Sequence, residues 1–211
     1  MSAPRHIGIV AGSVEGAALC YRTLCLEAPQ VLGEYAHPEV TLNAVPMAEH
    51  LPHIRAGHWE ALAEVLAESS RKVARAGAEF VICPDNTYHA AFKHVAARSP
   101  IPWLHIAEAV AAEARRLGYA RLGILGTQSL TEGAVYREVL EPLGIASEIP
   151  DADDRRRFVN EVATGLKARG CDAVVLGCTE LPLLVRPDDT PLPTLDSTRL
   201  LARAALQRAL R

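Results

Sequence analysis

Four short runs made almost wholly of apolar side chains punctuate this chain at long intervals. They are Ile7–Ala11 (IGIVA), Phe80–Cys83 (FVIC), Leu122–Leu125 (LGIL) and Ala173–Leu176 (AVVL). A strand with no polar alternation must be covered on both faces, which is the condition of a strand inside a parallel sheet. Parallel strands need crossover connections, and the intervening stretches carry helical patterns. Trp59–Ala76 sets Leu62, Val65, Leu66, Ser69 and Val73 at near-helical spacing, and Gly77 follows where a helix C-terminus is expected. Ala107–Leu117 stops at Gly118 in the same way, Phe158–Ala168 stops at Arg169-Gly170, and Ser197–Leu210 reads as a terminal helix. The expected class is therefore doubly wound α/β.

A weak internal repeat refines this. The first half runs from IGIVAG through a helix, a strand and a helix ending in Gly77-Ala78 to FVICPDNT. The second runs from LGILGT through a helix, Ile145–Ile149 and a helix ending in Gly170-Cys171-Asp172 to AVVLGCTE. Each half delivers one polar triplet, Asp85-Asn86-Thr87 or Cys178-Thr179-Glu180, at the C-terminal end of a central strand, where open α/β sheets bind ligands. The expectation is two similar parallel-sheet halves related by pseudo-twofold symmetry, with the active site between them. Ser99-Pro100-Ile101-Pro102 punctuates the pattern and sets the division at residues 1–98 and 99–196, with 197–211 packing back on the first half.

Composition excludes several classes of function. Of 211 residues, 49% are hydrophobic and 22% charged, which is globular rather than disordered. A formal charge of -3 leaves no basic footprint for nucleic acid or an anionic membrane, and no apolar run is long enough to span a bilayer. The N-terminal residues lead straight into a strand without a signal-peptide pattern, so the expected location is cytoplasmic. Five cysteines without CxxC spacing argue against zinc and against a disulfide scaffold, and leave at least one thiol free. Cys20, Cys25 and Cys171 read as small buried hydrophobes. No HExxH or Cys/His cluster implies a metal, and Gly8-x-x-x-Gly12-Ser13 lacks the G-x-G-x-x-G and Walker patterns, so no cofactor is implied either.

The residues suited to chemistry gather at the strand ends. Cys178 follows a buried strand, where backbone donors would lower a thiol pKa and make thiolate available near neutrality. Asp85 holds the matching position and is either a turn-forming carboxylate or a catalytic one. Asn86, Thr87, Thr127 and Thr179 offer amide and hydroxyl donors for a carboxylate or an enediolate-like oxyanion. Gly12 permits close backbone approach to a small ligand, and Ser13 or the neighbouring N–H groups are placed to hold an anion. His89 either orients Asp85 or is a surface imidazole, and Glu180 either orients Cys178 or caps the following helix.

Taken together these segments resemble the PLP-independent aspartate/glutamate racemase family over nearly the whole chain. The resemblance rests on HIGIVAG at the N-terminus, HPEVTLNAVP at His37–Pro46, the long segment His58–Phe92, IPWLHIAEA, LGILGT, VVLGCTELPLLV and PTLDSTRLLARAAL. It implies cofactor-independent proton transfer at a substrate α-carbon by two cysteines acting on opposite faces, with Thr and Asn side chains on the α-carboxylate. Carried over by position, Cys178 matches the second cysteine, and Asn86, Thr87, Thr127 and Thr179 match the carboxylate-binding positions. A small amino acid or carboxylate is the implied partner, and the family's usual dimer implies a homodimer.

Three departures mark this chain. Asp85 stands where the family has its first catalytic cysteine, and Cys83, two residues earlier, is about 6–7 Å away along a strand. The family's segment with a Lys or Arg for a distal carboxylate reads as deleted, since Arg155–Phe158 runs almost directly into the next helix. Met47 occupies the place of a substrate-facing basic residue. The expected function is a racemase or epimerase using Cys178 and Asp85 as an acid–base pair. The alternative is chemistry like that of the arylmalonate decarboxylase branch, with a single protonating cysteine. A non-catalytic small-acid binder is the third reading, and it leaves the thiol unexplained.

Overall fold

The computed structural model describes residues 3–150, 159–184 and 190–211. They form two compact units, Met1–Ile106 with Thr198–Arg211, and Ala107–Ser197. Each contains a wholly parallel sheet with helices, the arrangement that the buried apolar runs predict.

In the first unit β1 (Ile7–Ala11) is followed by helices α1 (Val14–Glu27) and α2 (Pro29–Leu32) and by β2 (Val40–Ala44). Helices α3 (Met47–Ala56) and α4 (Trp59–Arg75) lead to β3 (Phe80–Ile82), then to a 3-10 turn at Asn86–Ala91 and the short α5 (Phe92–Ala96). The strand order is β2-β1-β3, so the fully buried β1 lies at the centre, with Ile9 paired to Leu42 on one side and Ile82 on the other. Because side chains alternate along a strand, β1 serves two cores at once. Ile7 and Ile9 pack with Ala17, Cys20 and Leu24 of α1, and Val10 packs with Leu62, Leu66 and Val73 of α4.

The second unit begins in α6 (Ile106–Leu117) and runs through β4 (Arg121–Leu125), α7 (Gln128–Thr131), α8 (Arg137–Leu140) and β5 (Ala146–Glu148). It continues with α9 (Val159–Ala168), β6 (Ala173–Leu176), α10 (Leu181–Leu184) and β7 (Thr194–Asp196). The strand order is β5-β4-β6-β7. Leu125, Val174 and Leu176 pack with Val162, Ala163 and Leu166 of α9. The last helix, α11 (Ser197–Ala209), places Leu201, Ala202 and Ala205 in the core around Ile7 and Ile9 of the first unit. Among the described residues no helix is long and apolar enough to cross a membrane.

One glycine shows why this sheet tolerates little variation where β4 and β6 end. Leu125 of β4 is paired with Leu176 of β6, and the next residue, Gly177, donates its N–H to the Leu125 carbonyl at 2.7 Å. A Cβ on Gly177 would stand 2.7 Å from that same carbonyl oxygen, which belongs to a backbone that cannot swing aside. Gly177→Ala should therefore lower stability by about 1–3 kcal/mol, the usual cost of forcing extra atoms into a packed interior. A lower urea midpoint with an unchanged slope is the expected reading, and an unchanged midpoint would show that the strand end yields.

Candidate active site

The pairing of β1 with β3 brings two strand ends to one edge of the first sheet. Gly12 and Ser13 follow β1, and Asp85 lies three residues past the end of β3. The Gly12 N–H donates to Asp85 Oδ2 at 2.9 Å and the Ser13 N–H donates to Oδ1 at 3.1 Å. The anion at this turn is thus a carboxylate of the chain itself. The expectation that these N–H groups would be available to a ligand is corrected: Asp85, only 7% exposed, already engages both. Ser13 caps α1, its hydroxyl accepting from the Gly16 N–H at 3.1 Å. Asn86 is buried and Thr87 half-buried at the start of the 3-10 turn that follows.

Two aromatic side chains complete this corner, and neither was singled out from the sequence. His50 of α3 and Tyr88 of the 3-10 turn are both buried, with His50 Nδ1 and Tyr88 Oη 2.5 Å apart. A Cβ on Gly12 would lie 2.0 Å from Tyr88 Oη and 2.7 Å from His50 Nδ1, so glycine is required here by the chain's own side chains rather than by a ligand. Burial lowers the His50 pKa, with Glu49 opposing and His53 reinforcing. Burial first, then the neighbouring Asp85 carboxylate and the Cys83 side chain, raise that of Tyr88.

His89 is not a surface imidazole, which corrects that alternative. It is 3% exposed, its Nε2 lies 2.9 Å from the Cys83 carbonyl oxygen, and its ring packs beside His105 and Phe92. Burial first, and His105 second, depress its pKa to about 3, so it is a neutral donor that ties down the strand end leading to Asp85. Cys83 is wholly buried, and desolvation pushes its thiol well above the usual range. Cys20 and Cys171 are buried as expected, whereas Cys25 is half-buried beside the exposed Tyr21.

The second unit repeats the strand-end arrangement with different groups. Thr127 follows β4 and is exposed, and Cys178 and Thr179 follow the neighbouring β6. Cys178 Sγ donates to Glu180 Oε2 at 2.8 Å, and Thr179 Oγ1 donates to the same oxygen at 3.0 Å. Of the two roles left open for Glu180, the geometry displays contact with Cys178. The expected low thiol pKa is overturned. Burial first, and the hydrogen bond to Glu180 second, push Cys178 up to about 11, and the Glu180 and Leu181 N–H groups offset only part of this. Glu180 moves the other way, its carboxyl held below the usual value chiefly by the Cys178 bond. The resting pair is a thiol and a carboxylate.

Of the two remaining departures, Met47 is the first residue of α3 and is 37% exposed, while Arg155–Phe158 lies outside the described residues. Among the described residues no group of three or more His, Cys, Asp or Glu side chains is arranged to hold a metal ion.

A family model for Asp/Glu/Hydantoin racemase matches residues 13–205. The chain belongs to that family. It is an isomerase of the racemase class, and its two parallel-sheet units are those of related solved structures. A putative Asp/Glu racemase from Yersinia pestis is 29% identical with a TM-score of 0.88, covering 98% of this chain and all of that one. An aspartate racemase homologue from Pyrococcus horikoshii OT3 is 25% identical with a TM-score of 0.83, over 98% of this chain and all of the other. The broad specificity amino-acid racemase RacX of Bacillus subtilis (strain 168) is 22% identical over 162 residues, 68% of this chain and 70% of its own.

The thiol–carboxylate contact has a direct consequence for reactivity. Alkylation of Cys178 by iodoacetamide should rise with pH to a midpoint near 11, since only thiolate reacts. Glu180→Gln removes the negative charge that holds the proton on sulfur, so the midpoint should move down. Site-resolved mass spectrometry of the modified peptide measures both, and an unmoved midpoint would show that the carboxylate does not control the thiol.

Proposed function

We propose that this chain racemises or epimerises a small amino acid or related carboxylate at its α-carbon without PLP. Cys178 and Asp85 are the proton-transferring groups, and Asn86, Thr87, Thr127 and Thr179 hold the α-carboxylate. The observation that carries the reading is the Cys178–Glu180 pair, which keeps a protonated thiol at a strand end of a racemase-family chain. The broad specificity amino-acid racemase among its relatives supports an amino acid as substrate.

The protonation states set the order of events. A thiol is a proton donor, so with Cys178 as S–H and Asp85 as carboxylate, Asp85 takes the α-proton and Cys178 protonates the resulting enediolate. One turnover leaves Asp85 as acid and Cys178 as thiolate, the states needed for the opposite enantiomer, and exchange with solvent resets the pair. Enantiomers have equal free energies, so kcat/KM must be the same in both directions. The unlike groups show instead as unequal kcat and KM values for the two enantiomers. A decarboxylase would need no second acid–base group, and nothing in the site favours it over racemisation.

The test is proton NMR in deuterium oxide over a panel of amino acids and malonates. Deuterium should enter the α-position without release of carbon dioxide. In Cys178→Ala racemisation should fall by about 10²–10⁴-fold, the usual contribution of a general acid or base. Retention of racemisation would sink the assignment. Asp85→Asn should lose activity similarly, and Asp85→Cys should restore it. If both racemise as the parent does, Asp85 serves only to bind the turn at Gly12 and Ser13.

A further inference from the structure

The corner formed by Gly12, His50, Asp85 and Tyr88 contains a proton that its own hydrogen bonds do not use. A neutral imidazole carries one N–H and a neutral phenol one O–H, so His50 and Tyr88 together hold two donor protons. They share a single hydrogen bond, between Nδ1 and Oη, and His50 Nε2 has no partner among the described residues. If Tyr88 donates to Nδ1, the spare proton is on Nε2; if Nδ1–H donates to Tyr88, the spare proton is on Oη. In either tautomer one buried donor is left over, and a buried unpaired donor is costly enough that native structures seldom keep one without a use.

We propose that Tyr88 is a further catalytic residue of the racemase site, donating this spare proton as a hydrogen bond to the substrate oxyanion, with His50 as the residue that positions and polarises it. The inference rests on the racemase reading. Removing an α-proton from an unactivated amino acid puts a second negative charge on the carboxylate oxygens, and no cofactor delocalises it. A preorganised neutral donor is what that charge requires. Tyr88 Oη abuts Gly12, whose N–H holds Asp85, so the phenol stands beside the group proposed to take the α-proton. When the donor is engaged, Nδ1–H supports Oη from behind and Tyr88 points its O–H outward, and the bare Nε2 lone pair is the cheaper orphan.

Among the described residues, few charged or titratable groups act on the pair. Asp85 and Cys83 act on Tyr88, and Glu49 and His53 of α3 act on His50. The ring of Tyr88 also meets His50 edge-on, with centroids 4.8 Å apart, so a phenylalanine retains the packing and loses only the hydroxyl.

In Tyr88→Phe, kcat should fall by about 10²-fold with KM nearly unchanged, as for the loss of one oxyanion donor. His50→Leu should do the same, and His50→Asn, whose amide N–H can replace Nδ1–H, should recover most of the loss. A purely structural role would instead lower thermal stability and move KM and kcat together. Equal kcat in Tyr88→Phe and the parent enzyme overturns the inference while leaving the racemase reading intact. A readout independent of turnover is nitrogen-15 histidine NMR with malonate, a small dianion whose carboxylate oxygens can accept the Tyr88 hydrogen bond. The His50 resonances should shift on saturation in the parent protein and in Cys178→Ala, but not in Tyr88→Phe. No shift in the parent protein overturns the inference whether or not any amino acid is racemised.

Discussion

Parallel pairing of neighbouring strands is the constraint from which the rest of each unit follows. β1 beside β3, and β4 beside β6, run in the same direction and in register, so each pair of strands ends at one edge of its sheet. The turns that leave these ends share that edge, and their backbone groups must be satisfied by one another or by side chains. In the first unit the solution is a carboxylate, Asp85, across the amides of Gly12 and Ser13. In the second it is direct backbone contact, Gly177 N–H to Leu125 oxygen. The corresponding strand ends thus carry a fixed acid in one unit and a thiol bound to Glu180 in the other.

The electrostatics of the two edges differ in kind. Cys178 is raised because it is buried and because its partner is an anion, so the proton rests on sulfur. A protonated thiol can only donate, as it does here to Glu180, whereas a strand-end cysteine surrounded only by amides would favour thiolate. At the other edge the imidazoles are neutral by burial: His89 secures the Cys83 carbonyl and His50 meets the Tyr88 hydroxyl. Neutral imidazoles there act through hydrogen-bond direction rather than charge.

Much of the fold was legible in the residues. Runs such as AVVL and IGIVA read as strands covered on both faces, and the helix from Trp59 is written in its apolar spacing and in Gly77. The strand-end triplets were legible as well, because a polar group directly after a buried strand has nowhere to go but the edge. The Cys178–Glu180 contact joins residues two apart in the chain, but the direction in which it moves the thiol is not legible there. Spacing showed amides near the sulfur, and the carboxylate that outweighs them depends on a rotamer. His50 carried no signal at all, since a lone histidine on a polar helix has no periodicity to betray it. Tyr88 directly follows the Asp85-Asn86-Thr87 triplet, but nothing in the sequence says which of its neighbours it bonds.

The sequence by itself determined the class of fold, the places where chemistry could be mounted, and the presence of an acid at position 85. These follow from hydrophobic period and from which residue types occur next to each other, both properties of a one-dimensional string. Only the tertiary structure decided who holds whom. Asp85 reaches Gly12 and Ser13 across more than seventy residues, and His50 reaches Tyr88 across thirty-eight. Such contacts arise from the packing of separate elements, and the energy of a buried hydrogen bond depends on a few tenths of an ångström that no local pattern encodes.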